Sequence, residues 1–312
     1  MNSQLKTIRT VAELRRDLAC ARRAGQTVGL VPTMGALHDG HLSLVRRARA
    51  ESDLVVMSVF VNPTQFGPGE DLDRYPRAEE RDAELAGAAG VDILFAPGVR
   101  EVYPDGFATT VRVAGLADRL CGVQRGAGHF DGVATVVTKL LNMVGPDTAY
   151  FGQKDAQQAA VISRVVRDLD IPVRIEVCPT VREPDGLAMS SRNTHLDGAA
   201  RARAVGLSRA LDAAVRAAGD GERDPQAVGL LARRELAAYE IEPEYVELVS
   251  PQTLEPAADL DGPVLVAVAA RIGGTRLIDN VILEPHELDD VILEPHELDE
   301  TAPHQQEARR AG

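Results

Sequence analysis

The sequence predicts an α/β fold, a Rossmann-like doubly wound parallel sheet followed by a smaller C-terminal α+β domain. Three observations predict it. Over roughly the first 180 residues, strand-sized apolar runs alternate with helical patterns across short connections. After about Arg182 the texture changes to alanine-rich helical stretches followed by strand-like runs. Between the last two of those runs stands Gly273-Gly274, a hairpin signal, and hairpins join antiparallel strands.

The elements follow in order. The apolar run 28–31 reads as a buried strand, broken by Pro32 and Gly35. Leu42, Val45 and Ala48 recur at helical spacing, giving a helix over 42–50. Residues 54–61 form the next strand, 77–89 a helix, and 91–96 another strand. Residues 133–144 are helical, 148–151 a short strand, 156–169 a helix, and 173–179 the last strand of the series. Beyond it, 199–218 and 225–239 are helical, and 245–249, 265–270 and 276–283 are strand-like. The expected division is a nucleotide- and substrate-binding domain at 1–181, a smaller lid domain at 182–284 and an acidic tail at 285–312. In that tail Val281-Ile282-Leu283-Glu284-Pro285-His286-Glu287-Leu288-Asp289 recurs as 291–299, too short a repeat for a solenoid. The first copy completes a strand in this reading, and the second is expected to be disordered.

Composition narrows the function. The chain has 312 residues, 45% of them apolar and 26% charged, ordinary for a globular protein. No apolar run approaches the ~20 residues of a membrane span, and the polar start lacks a signal-peptide core. The net charge of −13 argues against nucleic acid, whose phosphates need a basic face. The segment 283–312 holds nine acidic and two basic residues, so the body can still carry a basic cleft. Cys20, Cys121 and Cys178 are odd in number and far apart. They read as small buried hydrophobes in a reduced, cytoplasmic chain.

Four segments could carry chemistry. In Met34-Gly35-Ala36-Leu37-His38-Asp39-Gly40-His41 two histidines, three apart, sit where a strand hands over to a helix. Imidazole donors plus free helix N–H groups receive phosphate oxygens; the alternative is a pair of turn histidines. Phe60-Val61-Asn62-Pro63-Thr64-Gln65-Phe66 offers neutral donors and acceptors for hydroxyls or a carboxylate, or plain turn chemistry. In Phe151-Gly152-Gln153-Lys154-Asp155-Ala156-Gln157-Gln158, Lys154 can supply a mobile cation. Asp155 can accept ribose hydroxyls or merely cap a helix, and Gln158 points at the same crevice one turn later. Ser190-Ser191-Arg192 can clamp a polyphosphate, or be a solvated linker. Gly126-Ala127-Gly128 is a weak dinucleotide fingerprint without a preceding strand. No P-loop and no nucleophile elbow occur.

Together these segments, with Tyr75-Pro76-Arg77, His129-Phe130-Asp131-Gly132-Val133 and Met189-Ser190-Ser191-Arg192-Asn193, resemble the pantoate–β-alanine ligase family of the His-x-x-His nucleotidyltransferases. The resemblance spans roughly 5–284. It departs at 125–129, one residue longer than the family's usual Arg-Pro-Gly-His, and in the tail, which has no family counterpart. The resemblance implies ATP-dependent condensation of pantoate with β-alanine through pantoyl adenylate, in a cytoplasmic homodimer. It implies His38, His41, Lys154 and Arg192 as charge-stabilising catalytic groups. ATP would also meet Met34, Gly152, Asp155, Val181, Met189, Ser190 and Ser191. Gln65, Gln158, Asn62 and Tyr75 would hold substrate, with Mg²⁺ near Asp82. The runner-up is a nucleotidyltransferase with a phosphate acceptor, which the neutral Gln65 and Gln158 disfavour. A non-catalytic nucleotide sensor has no need of the full donor set, and the short acidic C-terminal domain disfavours an aminoacyl-tRNA synthetase.

Overall fold

The computed structural model describes residues 5–67, 72–73 and 75–284. The expected tail at 285–312, with the whole second repeat copy, lies outside them. The strands in chain order are β1 Lys6–Ile8, β2 Val28–Thr33, β3 Leu54–Val59, β4 Ile93–Phe95, β5 Thr148–Gly152, β6 Arg174–Cys178, β7 Pro243–Val249, β8 Val264–Ile272 and β9 Thr275–Leu283. The helices are α1 Val11–Arg23, α2 Asp39–Glu51, α3 Glu79–Ala89, α4 Val99–Val102, α5 Cys121–Arg125, α6 Ala127–Val144, α7 Ala156–Asp168, α8 Gly198–Ala204, α9 Gly206–Gly219 and α10 Pro225–Ala238.

The first six strands form one sheet in the order β1-β4-β3-β2-β5-β6, and every pair is parallel. The winding runs outward from β2 through β3 to β4, then returns to the other side of β2 as β5. The chain therefore reverses direction between β2 and β5, where open parallel sheets bind ligands beyond their carboxyl ends. The period of two sorts β3 between two cores. Val56 packs with Leu14 and Leu18 of α1 and with Val137 and Leu141 of α6. Val55 and Met57 pack with Leu44 and Val45 of α2 and Ala86 of α3 on the opposite face. Helices on both faces make the central strands continuously apolar, the pattern by which the sequence predicts them.

The last three strands form an antiparallel sheet, β7-β8-β9. Ile272 pairs with Thr275, so Gly273 and Gly274 are the turn, with φ of 56° and 81°, the left-handed values a tight hairpin needs. One face packs on Leu207, Leu211, Val228 and Leu236 of α9 and α10. The other carries Tyr245, Val249, Leu265 and Ala267 against Cys121, Phe130, Val161 and Val165 from α5, α6 and α7. The first repeat copy does end a strand, since Val281-Ile282-Leu283 closes β9.

Four differences from the sequence reading have local causes. β1 and α1 have no counterpart in it. β1 is a three-residue edge with one buried side chain, and α1 buries only Leu14, Leu18 and Ala21 behind a Thr10 cap. The expected helix 199–218 is interrupted at Val205, between α8 and α9, and Gly206, which opens α9, packs so closely that a Cβ would stand 2.7 Å from Tyr239. Helix α6 begins at Ala127, six residues before expectation, so Gly126 is a helix junction with φ of 79° and not a dinucleotide turn. Cys121 and Cys178 are buried as expected, whereas Cys20 is exposed.

Candidate active site

The β2–α2 loop starts with a backbone that only a few residues permit. Gly35 has φ of 85° and Ala36 of 52°, and a Cβ at Gly35 would lie 2.8 Å from Asp82 Oδ2. Asp82, in the first turn of α3 and 2% exposed, accepts the Ala36 N–H at 2.9 Å and the Leu37 N–H at 2.8 Å. Thr33 Oγ1 accepts the Gly35 N–H. The pinned loop delivers His38 to the N-cap of α2.

Both imidazoles then face one crevice with defined tautomers. His38 Nδ1 accepts the Gly40 N–H at 3.1 Å, and His41 Nδ1 accepts the His38 N–H at 3.4 Å. A neutral ring whose Nδ1 accepts carries its proton on Nε2. The ring centroids are 4.1 Å apart. Burial lowers the His38 pKa, helped by Lys154. Burial, then the His38 ring beside it, pushes His41 down to about 3. The pair is therefore neutral at physiological pH and presents N–H donors.

The remaining walls come from the loops after β3, β5 and β6. Lys154 and Gln158 follow β5, and Ser190, Ser191 and Arg192 follow the strand-like pairing of Arg182 with Ala188. With Met34, Gly152, Val181 and Met189 they line a crevice of about 230 Å³ floored by Phe60, Val133 and Leu140. No hydrogen bond or ion pair among the described residues engages the Lys154 ammonium or the Arg192 guanidinium. Asp155 stands at the N-cap of α7 but makes no capping bond, so the capping alternative is not realised and its exposed carboxylate faces the crevice. Ser190 Oγ accepts the Arg192 N–H, and the Val181 carbonyl accepts the Met189 N–H. An adjoining cavity of about 740 Å³ shares Arg125, Lys154, Gln158 and Arg192 and reaches Tyr245, Arg271 and Arg276 of the second sheet.

Three expected site residues are engaged differently from the reading that named them. Asn62 is 1% exposed and spends every polar atom within the protein. Its Nδ2 donates to Gln65 Oε1 and Gly132 O. Its Oδ1 accepts from Thr64 N, Thr64 Oγ1 and the Tyr103 hydroxyl. It has no donor left for a substrate and instead holds Gln65, whose Nε2 reaches Met34 Sδ at 3.0 Å. Tyr75 lines the crevice, but its hydroxyl is hydrogen-bonded to Ser191, and burial raises its pKa. Asp82 is tied by both oxygens to N–H groups of the β2–α2 loop.

Several contributors have roles to which the sequence reading assigned no residue, or only an unplaced one. Arg125 Nη1 lies 3.1 Å from His129 Nε2, so that nitrogen accepts, and His129 Nδ1 donates to the Gln65 carbonyl at 2.7 Å. The longer 125–129 loop thus brings Arg125 to the crevice wall. Thr180 Oγ1, also in that wall, is buried with no hydrogen-bond partner among the described residues. Asp279 and Asn280 of β9 support the loops from behind. No spacing rule signals such partners, because they meet only in the folded chain.

Known proteins resemble this chain over most of its length. The family model for pantoate–β-alanine ligase matches residues 6–282. A pantothenate synthetase from Moorella thermoacetica is 53% identical over 284 residues, 91% of this chain and 100% of that protein. Pantothenate synthetase 1 of Bradyrhizobium diazoefficiens is 55% identical over 89% of this chain and 98% of its own. The crystal structure of pantothenate synthetase from Thermus thermophilus superposes with a TM-score of 0.84 at 51% identity, covering 88% of this chain and 98% of that one. A pantoate–β-alanine ligase from Francisella tularensis, complexed with β,γ-ATP and β-alanine, gives 0.72 at 32% identity over 89% of this chain and 97% of its own.

Proposed function

The chain belongs to the pantoate–β-alanine ligase family, and we propose that it works through a pantoyl-adenylate intermediate. It is an ATP-dependent carbon–nitrogen ligase that condenses pantoate with β-alanine to pantothenate. In the first half-reaction a pantoate carboxylate oxygen attacks the α-phosphorus of ATP. The bond from that phosphorus to the bridging oxygen breaks, and pyrophosphate leaves with the electron pair. In the second, the amine of β-alanine attacks the acyl carbon, AMP leaves, and the nitrogen loses a proton.

The observation that carries this reading is the pair of cations, Lys154 and Arg192, engaged by no hydrogen bond or ion pair among the described residues and lining one crevice with two neutral imidazole donors where the sheet reverses. Adenylation brings an anion onto an anion. Fixed donors aimed at the charge that develops lower that barrier more than they strengthen binding of the ground state. Lys154, Arg192 and the two Nε2–H groups take the phosphate oxygens, with Ser190 and Ser191. Asp155 takes the ribose hydroxyls, and backbone groups at Met34, Gly152, Val181 and Met189 hold the nucleoside. Gln65 and Gln158 take pantoate above the apolar floor, Asn62 acting through Gln65 and Tyr75 through Ser191.

Magnesium fits as a companion of the triphosphate. Among the described residues no three His, Cys, Asp or Glu side chains gather to hold a metal, and this ion commonly takes substrate phosphates and water for most of its ligands. Bound there it would neutralise phosphate charge. Asp82, which holds the His38 loop, would stand near that ion. Two free buried thiols and one exposed one support a cytoplasmic setting. Among the described residues no helix is long and apolar enough to cross a membrane. Homodimerisation rests on the family likeness. Separate apolar cores in 5–178 and 187–283 support the division at about residue 181, although Tyr245 and Leu265 pack across it.

Exchange of labelled pyrophosphate into ATP tests the two-step order. Exchange should need pantoate and Mg²⁺ but not β-alanine. Exchange that begins only when the amine is added would sink the adenylate.

A further inference from the structure

We propose that Asn280 is a positioning residue for Lys154, and that with Asp279 it makes β9 a strut between the two phosphate-binding loops. The inference rests on the assignment of Lys154 to the adenylation step. Asn280 is 5% exposed. Its Nδ2 donates to the Gln153 carbonyl at 3.0 Å and to the Lys154 carbonyl at 2.9 Å, and its Oδ1 accepts from Gln153 Nε2 at 2.9 Å. All three bonds close on the turn between β5 and α7. Its own N–H donates to Asp279 Oδ1. The Asp279 carboxylate, 2% exposed, takes both terminal nitrogens of Arg182 at 2.6 and 3.1 Å. Arg182 also donates to the Gly186 carbonyl, at the turn of the hairpin that leads into Ser190 and Arg192.

The physical reason is the freedom of the Lys154 tip. With no hydrogen bond or ion pair on the ammonium among the described residues, the position of the charge depends on the backbone that bears it. A buried amide that takes two consecutive carbonyls fixes that backbone, and a group displaced by ~1 Å loses ~10²-fold in rate. Adjacent strand residues face opposite ways, so Asp279 and Asn280 can each brace a different loop from one short piece of β9. Sequence distance hides the link, because Asn280 and Lys154 are 126 positions apart.

The test is a double-mutant cycle on single-turnover formation of pantoyl adenylate in the full chain, with Asn280→Ala, Lys154→Ala and the pair. Asn280→Ala should slow adenylation by ~10–100-fold, with the KM for pantoate changed less than about twofold because Gln65 is held independently by Asn62 and His129. In the Lys154→Ala background the same change should cost little, since nothing remains to be positioned. An equal loss in both backgrounds, or no loss in the single variant, overturns the proposal while leaving the role of Lys154 intact. A normal rate for Lys154→Ala overturns both. Asn280→Ser, which keeps a hydroxyl donor, covers the case in which Asn280→Ala does not fold, and the same cycle is read from it.

Discussion

The two walls of the crevice are held in opposite ways. On the β3 side Asn62 makes five hydrogen bonds inside the protein and locks Gln65 from its side chain, while His129 locks it from its carbonyl. On the opposite side no hydrogen bond or ion pair among the described residues engages the tips of Lys154 and Arg192, and order comes from behind them, through Asn280 and Asp279. A neutral amide discriminates by direction, so it must be oriented before substrate arrives. A cation acts over distance, and a fixed counter-ion would cancel the charge it is there to supply. The comparison assigns binding of pantoate to the locked wall and stabilisation of charge to the open one.

The sharpest way to break that assignment is on the open wall. Lys154→Ala should lower the single-turnover adenylation rate by ~10²–10³-fold, the scale of one lost preorganised donor. Its melting temperature should stay near that of the parent, because no partner is orphaned. On the locked wall the effects should be smaller and should divide differently. Asn62→Ala takes a partner from the buried Gly132 carbonyl and from the half-buried Tyr103 hydroxyl. It should cost ~1–3 kcal/mol in urea unfolding and raise the KM for pantoate through a loosened Gln65. Gln158→Ala should raise the KM for pantoate with kcat held, if ground and transition states are bound alike. A fall in kcat with KM unchanged would move Gln158 to the catalytic side.

The histidines give a weaker effect with a definite sign. Folded His41 titrates at about 3, while an unfolded histidine titrates near ~6.5. Between those values the unfolded chain binds more protons, so stability falls as pH drops through that window. His41→Gln should flatten the fall, read as melting temperature against pH from 7 to 4. The flattening should be incomplete, because His38 is shifted the same way. An unchanged slope would mean that the ring is protonated in the fold. The smallest effect is expected at the far end. Every residue assigned to the site lies between Met34 and Arg192, with support from β9, so truncation after Asp289 should leave exchange activity and melting temperature nearly unchanged.

The sequence was most legible where a period or a turn residue carried the information. The parallel series, the closing hairpin and the loops after β2, β3 and β5 all follow from apolar spacing broken by Pro and Gly, and those loops do converge. The edge of the sheet was not legible, since β1 buries one residue of three and pairing with β4 supplies the rest. Residue type identified Asn62 as a polar group at the crevice but not what it spends its bonds on. It could not separate Gln157 from Gln158 by chemistry either. The structure buries the first on the Leu116 and Arg119 carbonyls and the Cys121 N–H and leaves the second in the wall. Such distinctions depend on partners far along the chain, and local pattern is silent about them.

The two capped rings have a consequence for the amine. With Nδ1 of His38 and of His41 occupied by backbone N–H groups, the pair can offer protons but is poorly placed to take one. The nucleophile of the second half-reaction must therefore enter already as the free base. An alkylammonium titrates near ~10.4, so only a small share of β-alanine is reactive at neutrality. At subsaturating amine, with pantoyl adenylate already formed, the rate of its consumption should climb about tenfold per pH unit across the neutral range. The slope would come from the solution chemistry of the substrate and not from any titrating group of the protein.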